Sequence, residues 1–284
     1  MERIILGFDG TPASVAALSW VAARASRQLV RVDLVGVLTR VTKGRRTYLD
    51  ELGDAEAFLR RSVAGIIVQV HQLQGGVSDS LVSFAEHADL LVIGINPGHP
   101  IRATLAGALP LQLSTQTRVP VVMVPVGWVD LGEPVTVGVA VDDSSEAALA
   151  FAAREAESTG CALRLAHAWL MPAPTYVGGA PFVTHPETVM ADHRAIVDAA
   201  LSWVTTRYPA LAVQTELIRE SKSAALMPFT RESSLLVIGT HHHGILAGGL
   251  LGSVAQELLW RAECPLAVVP REVGVSRYEP GASS

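Results

Sequence analysis

The stretch from Gly239 to Val254 reads Gly-Thr-His-His-His-Gly-Ile-Leu-Ala-Gly-Gly-Leu-Leu-Gly-Ser-Val and holds the densest chemistry of the chain. It follows a strand-like run, Leu235–Ile238, and leads into a helix-like stretch that begins near Ser253. Glycines in such a loop let the backbone come close to a ligand. A helix N-terminus offers unpaired N–H groups and the positive end of the helix dipole. The Ser253 hydroxyl can cap that helix or donate to a phosphate oxygen. Together these make an anion site, with phosphate as its natural ligand. The plainer alternative stays open: glycines for a turn and for helix–sheet packing, and Ser253 as a cap only. The loop has no Gly-Lys-Ser/Thr and no Gly-x-Gly-x-x-Gly, so it is neither of the two common phosphate loops.

His241, His242 and His243 raise the question of a metal. Adjacent residues of an extended loop point different ways, and no Cys or Glu stands at zinc-site spacing. No metal is expected. A histidine facing a phosphate would make anion binding stronger in acid, since an unperturbed imidazole titrates near pH 6.5. Cys264 precedes Pro265 at a strand entry and reads as a small buried hydrophobe, not a nucleophile. Cys161 also opens a strand. His167 ends a strand and reads first as a capping or core residue, second as a neighbour of a bound base.

The elements that position this loop occur twice. Leu90-Leu91-Val92-Ile93-Gly94 returns as Leu235-Leu236-Val237-Ile238-Gly239. At the same spacing Gly107 meets Gly252, Pro120 meets Pro265 and Pro125 meets Pro270. Asp9 and Asp142 each follow a β-branched run. Ala16-Ala17-Leu18-Ser19-Trp20 and Ala147-Ala148-Leu149-Ala150-Phe151 follow in turn. Ordered matches along both halves point to a duplication. Each half alternates short apolar runs with helical spacing: Arg3–Phe8, Ala13–Ser26, Val30–Val37 and Tyr48–Ser62 open the first. The second has Val135–Val141, Ala147–Ser158, Ala162–His167 and Pro186–Arg207, with a further helix over Ser223–Arg231. Alternating βα units require a parallel sheet with helices on both faces. Ligands of such sheets bind beyond the carboxyl ends of the strands. The expected organisation is a first domain over 1–126, a linker over 127–134, a second domain over 135–271 and a flexible tail over 272–284. The Pro- and Gly-rich segment Trp169–Pro186 reads as a loop insertion.

The 284 residues carry a net charge of −5, with 49% hydrophobic and only 5% aromatic residues. That composition supports an aliphatic core and excludes disorder. It lacks the concentrated basic face of a nucleic-acid binder. No run is long enough to span a bilayer. Two cysteines and no signal-like start suggest a soluble, cytoplasmic protein without disulfides.

The loop, the Asp after the first strand, the Cys-Pro-Leu-Ala-Val-Val end and the twofold repeat resemble a tandem universal stress protein. The resemblance covers roughly 1–125 and 135–270. It implies two repeated doubly wound α/β domains, each a five-stranded parallel sheet of order 3-2-1-4-5 with helices on both faces. It also implies fifth strands paired across a two-fold, here as a pseudo-dimer within one chain, with a homodimer as a further assembly. The nucleotide-binding branch of that family has Gly, two residues, Gly, nine residues, Gly and then Ser or Thr. Carried over, the second-half site would use Asp142, Gly239, His242, Gly244, Gly252 and Ser253. His242 stands where the middle glycine belongs, and Asp143 adds charge beside a polyanion. In the first half Asp9, Gly94 and Gly107 fit a weaker site, but Pro97 replaces the middle glycine and Ala108 the Ser. The implied function is a stress-response regulator that binds ATP or another adenine nucleotide, with magnesium only if the nucleotide carries it, and acts on an unknown protein partner. The alternative is a nucleotide-independent interaction or scaffold protein. Slow ATP hydrolysis comes third, because the second-half loop contains no Lys or Arg to stabilise a transferring phosphoryl group.

Overall fold

Short β-branched runs pair into strands, and those buried on both faces take the middle of the sheet. The computed structural model describes residues 1–39, 45–97, 108–140, 144–172, 175–177, 180–182, 185–240 and 253–271. The first half holds β1 (Glu2–Gly7), α1 (Pro12–Ala25), β2 (Val30–Leu38), α2 (Arg45–Ser62), β3 (Ile67–Gln74), α3 (Val77–Ala85), β4 (Leu90–Ile95), α4 (Ala108–Gln116) and β5 (Val121–Pro125). The second holds β6 (Val135–Gly138), α5 (Ser144–Thr159), β7 (Leu163–Ala168), β8 (Thr175–Val177), β9 (Ala180–Phe182), α6 (Pro186–Arg207), β10 (Val213–Ile218), α7 (Lys222–Leu226), β11 (Leu235–Thr240), α8 (Ser253–Arg261) and β12 (Leu266–Pro270).

Ten strands form one sheet in the order β10-β7-β6-β11-β12-β5-β4-β1-β2-β3. Each half therefore has the expected 3-2-1-4-5 order, and within this sheet all pairings inside a half are parallel. The halves join where β5 meets β12 antiparallel, with Met123 opposite Leu266 and Val121 opposite Val268. Every residue of β5 and β12 is buried. The outermost strands instead expose alternate polar residues, such as Gln69 and Gln214. One core fills each face of the sheet, and both cores run through both halves. Trp20, Leu52, Leu59, Phe151 and Val204 pack on one face. Leu81, Leu113, Leu226, Leu258 and Phe229 pack on the other.

Two readings of the chain are corrected. Ser223–Arg231 is not one helix: α7 ends at Leu226 and a 3₁₀ turn covers Pro228–Thr230. Proline has no N–H for the helical ladder, so the turn tightens there. The Trp169–Pro186 segment is not a plain loop, because β8 and β9 pair antiparallel within it. Tyr176, Val177 and Phe182 favour extended backbone, and Gly178-Gly179 between them is a hairpin signal.

The first strand and first helix of the two halves correspond without a gap. Ile4 pairs with Leu90 as Val135 pairs with Leu235. The buried Leu18 and Trp20 of α1 match Leu149 and Phe151 of α5 at the same separation along the chain. On that count Arg24 and Glu155 are equivalent positions, and they form a buried ion pair across the junction. Arg24 also makes two 2.8 Å hydrogen bonds to Glu2. Burial opposes the guanidinium charge, but the hydrogen bonds it donates to Glu2 and the charges of Glu155 and Glu2 outweigh it, and the Arg24 pKa rises. A buried pair of this kind specifies an arrangement more than it adds stability.

Candidate functional site

The parallel strands bring their carboxyl ends to one edge of the sheet in each half. Gly94 lies at the end of β4 and Gly239 at the same place in β11, opposite Val124 and Val269. A Cβ on Gly94 would overlap the backbone of Ala13 and Ser14 at the start of α1. Gly94 thus has a packing role: it lets α1 lie directly on β4.

In the first half the chain's own side chains engage the groups that follow β1. Asp9 accepts hydrogen bonds from the Thr11 N–H (3.0 Å) and hydroxyl (2.6 Å). Thr11 in turn caps α1 by accepting from the Ser14 N–H. Asp9 is therefore engaged in starting the helix. Tyr48 of α2 reaches 40 positions back to donate to the Phe8 carbonyl at 2.7 Å. Burial, reinforced by the negative charge of Asp9, pushes the Tyr48 hydroxyl up to about 12. Leu52 closes down beside it, and a Cβ on Gly36 would meet Leu52 at 2.8 Å. The sequence hid this plug because a helix face says nothing about which strand end it will cover.

The second half treats the equivalent carbonyl differently. Val139 corresponds to Phe8, and its oxygen accepts from Nδ1 of His167 at 2.8 Å. A carbonyl only accepts, so Nδ1 carries the proton and Nε2 is left as an acceptor. The His193 Nδ1–H of α6 then donates to it, also at 2.8 Å. His167 is 2% exposed, and burial, only partly offset by its bond to the Val139 carbonyl, lowers its pKa. The capping role read from the sequence is the observed one. His193 stacks on Trp169 at 5.6 Å, and Arg219 lies over the same indole at 5.6 Å. This column at the carboxyl end of β7 went unread in the sequence. Its signal was a histidine set into the apolar stripe Val189, Val197, Ala200 and Val204 of α6.

At the end of β11 the Thr240 hydroxyl is buried without a hydrogen-bond partner among the described residues. A buried hydroxyl left unpaired costs about 1–3 kcal/mol. A polar group in the crevice would satisfy it. Ser253 is the first residue of α8, and Ala108 holds the same place in α4. Ala140 stands level with Asp9 by strand and helix register. Asp142, Asp143, Gly107, His242, Gly244 and Gly252, together with His241 and His243, lie outside the described residues. Among the described residues no three His, Cys, Asp or Glu side chains could share a metal ion. No helix among them is long and apolar enough to cross a membrane. Cys264 is 5% exposed, and burial pushes its thiol up to about 12, so it is inert at neutral pH.

The model of the universal stress protein family matches residues 1–125 and 133–270. A universal stress protein of Mycobacterium tuberculosis is 27% identical, over 95% of this chain and 96% of its own. One of Mycolicibacterium smegmatis is 25% identical, over 94% and 96%. Among solved structures, a universal stress protein of Archaeoglobus fulgidus aligns with a TM-score of 0.70 at 17% identity, over 95% of this chain and 98% of that one. The cytoplasmic domain of a prokaryotic cation chloride cotransporter aligns with a TM-score of 0.57 at 10% identity, over 95% and 96%. One fold therefore serves more than one kind of protein, and function must be argued from the site.

Proposed function

From the premise that this chain belongs to the universal stress protein family, we propose that it is a cytoplasmic stress-response regulator that binds an adenine nucleotide, ATP first, in its second half. Residues 1–126 and 135–271 are its two units, 127–134 the linker and 272–284 a tail. The observation that carries the reading is the unpartnered Thr240 hydroxyl, at the point where β11 enters the glycine loop that leads to α8. Gly239, Gly252 and Ser253 would hold phosphates at the α8 N-terminus, with His242 and Gly244 in the loop between. Asp142 would lie at the rim. Arg219 and Lys222 add positive charge at the same end of the sheet, Lys222 close enough to oppose protonation of His167. The first half, with Asp9, Gly94 and Gly107, contributes little, since Tyr48 and Leu52 fill its mouth and Pro97 and Ala108 replace the Gly and Ser.

A specific observation favours a second reading, a nucleotide-independent scaffold. Ala140 takes the position of Asp9, so no carboxylate stands at the Asp9 place of the second half. One experiment separates the two. The purified protein is denatured and released nucleotide is identified by mass spectrometry; stripped protein is then titrated with ATP in a calorimeter. One nucleotide per chain, with Ser253→Trp abolishing binding, is the expected result. No nucleotide and no heat at millimolar ATP would leave the scaffold reading.

A further inference from the structure

A cavity of about 390 Å³ lies at the opposite end of the sheet from the crevices, where β6 and β11 begin. Its walls come from three places: Trp20 of α1 with Arg27 just beyond that helix, Trp128 and Asp130 of the linker, and Glu155 of α5 with Cys161 just beyond that helix. Both halves and the segment between them contribute to it. The equivalent place across the pseudo-two-fold has Arg24 for Glu155 and Ser158 for Arg27.

The charges are unevenly settled. Arg27 at the mouth is matched by Asp130 at 3.3 Å. Deeper in, one guanidinium serves two carboxylates. Arg24 gives two hydrogen bonds to Glu2, which also accepts from Gln28 at 2.7 Å. Only one hydrogen bond is left for Glu155, and it reaches Oε2. Among the described residues nothing bonds to Oε1 of Glu155, whose side chain is 5% exposed and lines the cavity. Glu2, Arg24 and Glu155 together carry one uncompensated negative charge. Oε1 is not sealed in the interior: Glu155 lines the cavity, where a second cation can share its charge with Arg24. Arg24 already lies over the Trp20 ring at 5.6 Å, and Trp128 offers a second indole whose negative face favours a cation. The volume lies in the small-ligand range.

We propose that this junction cavity binds a small organic cation, a primary ammonium or amidinium on a flat apolar body, with Glu155 as its counter-ion and Trp20 and Trp128 as its walls. The test uses the full chain and two probes of one shape: 2-phenylethylammonium and 3-phenylpropanoate. Each is titrated by calorimetry and by tryptophan fluorescence. The expected result is saturable one-to-one binding of the ammonium, and binding of the carboxylate at least about tenfold weaker. Glu155→Gln should erase that preference. Because Glu155 also holds Arg24, a second variant fills the space instead: Cys161→Phe should weaken the ammonium by about tenfold or more while the fold, read by circular dichroism, is kept. No saturation at millimolar ammonium, equal affinity for both probes, or unchanged binding in a folded Cys161→Phe would each overturn the proposal.

Discussion

The two crevices start from one backbone group and end as different surfaces. In the first half the carbonyl after β1 is sealed by a phenol delivered from α2, and the helix comes down with it. In the second half the same carbonyl is sealed by an imidazole from the adjacent strand, and α6 is held one step further away, through His193. One cap is supplied by a helix and the other by a strand. Duplication thus preserved the need to satisfy a buried carbonyl while the donor changed from one half to the other.

The comparison can be attacked first at the junction. Arg24→Ala strands both Glu2 and Glu155, so it should cost about 3–5 kcal/mol of stability, measured by urea unfolding. Glu155→Ala leaves Arg24 with Glu2 and should cost clearly less. Equal costs would mean that the equivalent positions do not share charge in the way described. Next comes the plug. Tyr48→Phe leaves the Phe8 carbonyl unpaired in the interior and should cost about 1–3 kcal/mol. Tyr48→Ala empties the first crevice, and nucleotide stoichiometry should stay at one per chain if Pro97 and Ala108 also block that half. A rise to two would show that Tyr48 alone closes it. Gly94→Ala should disturb α1 against β4 and lower stability by about 1–3 kcal/mol, whereas Gly239→Ala should act on nucleotide affinity.

The smallest effects are in pH. His167 has a lowered pKa, so the unfolded chain binds more protons than the folded one between that value and about 6.5. Stability should therefore fall as pH drops through that window. Asp33 in the first half behaves otherwise. Burial works against its charge, but hydrogen bonds from Arg3 and His71 prevail, and its pKa is lowered. Its contribution is present above about 3.9 and is lost only as pH falls below that value. His167→Gln should flatten the mild-acid limb and Asp33→Asn the strong-acid limb, each leaving the other in place.

Much of this architecture was legible in the chain. The repeated Leu-Leu-Val-Ile-Gly does mark one strand position, since β4 and β11 occupy matching places. Strand order and the joined fifth strands followed from the resemblance. What escaped was long-range or hidden in a count. The Tyr48 hydroxyl and the Phe8 carbonyl meet through tertiary packing, which periodicity does not encode. That Ala140 stands level with Asp9 is a matter of register, which the pairings of β1 with β4 and of β6 with β11 reveal. Arg24 and Glu155 are far apart along the chain and look like ordinary helix-surface charges until the junction buries them.

The antiparallel meeting of β5 and β12 has a consequence for mass action. Two separate subunits joined at such an edge come apart on dilution, and neither can change its joining surface without its copy changing too. Tethered through a short linker, the halves see each other at a fixed effective concentration, so their association does not depend on how much protein the cell holds. Each surface was then free to mutate alone, and that freedom is what permits an arginine on one side to face a glutamate on the other.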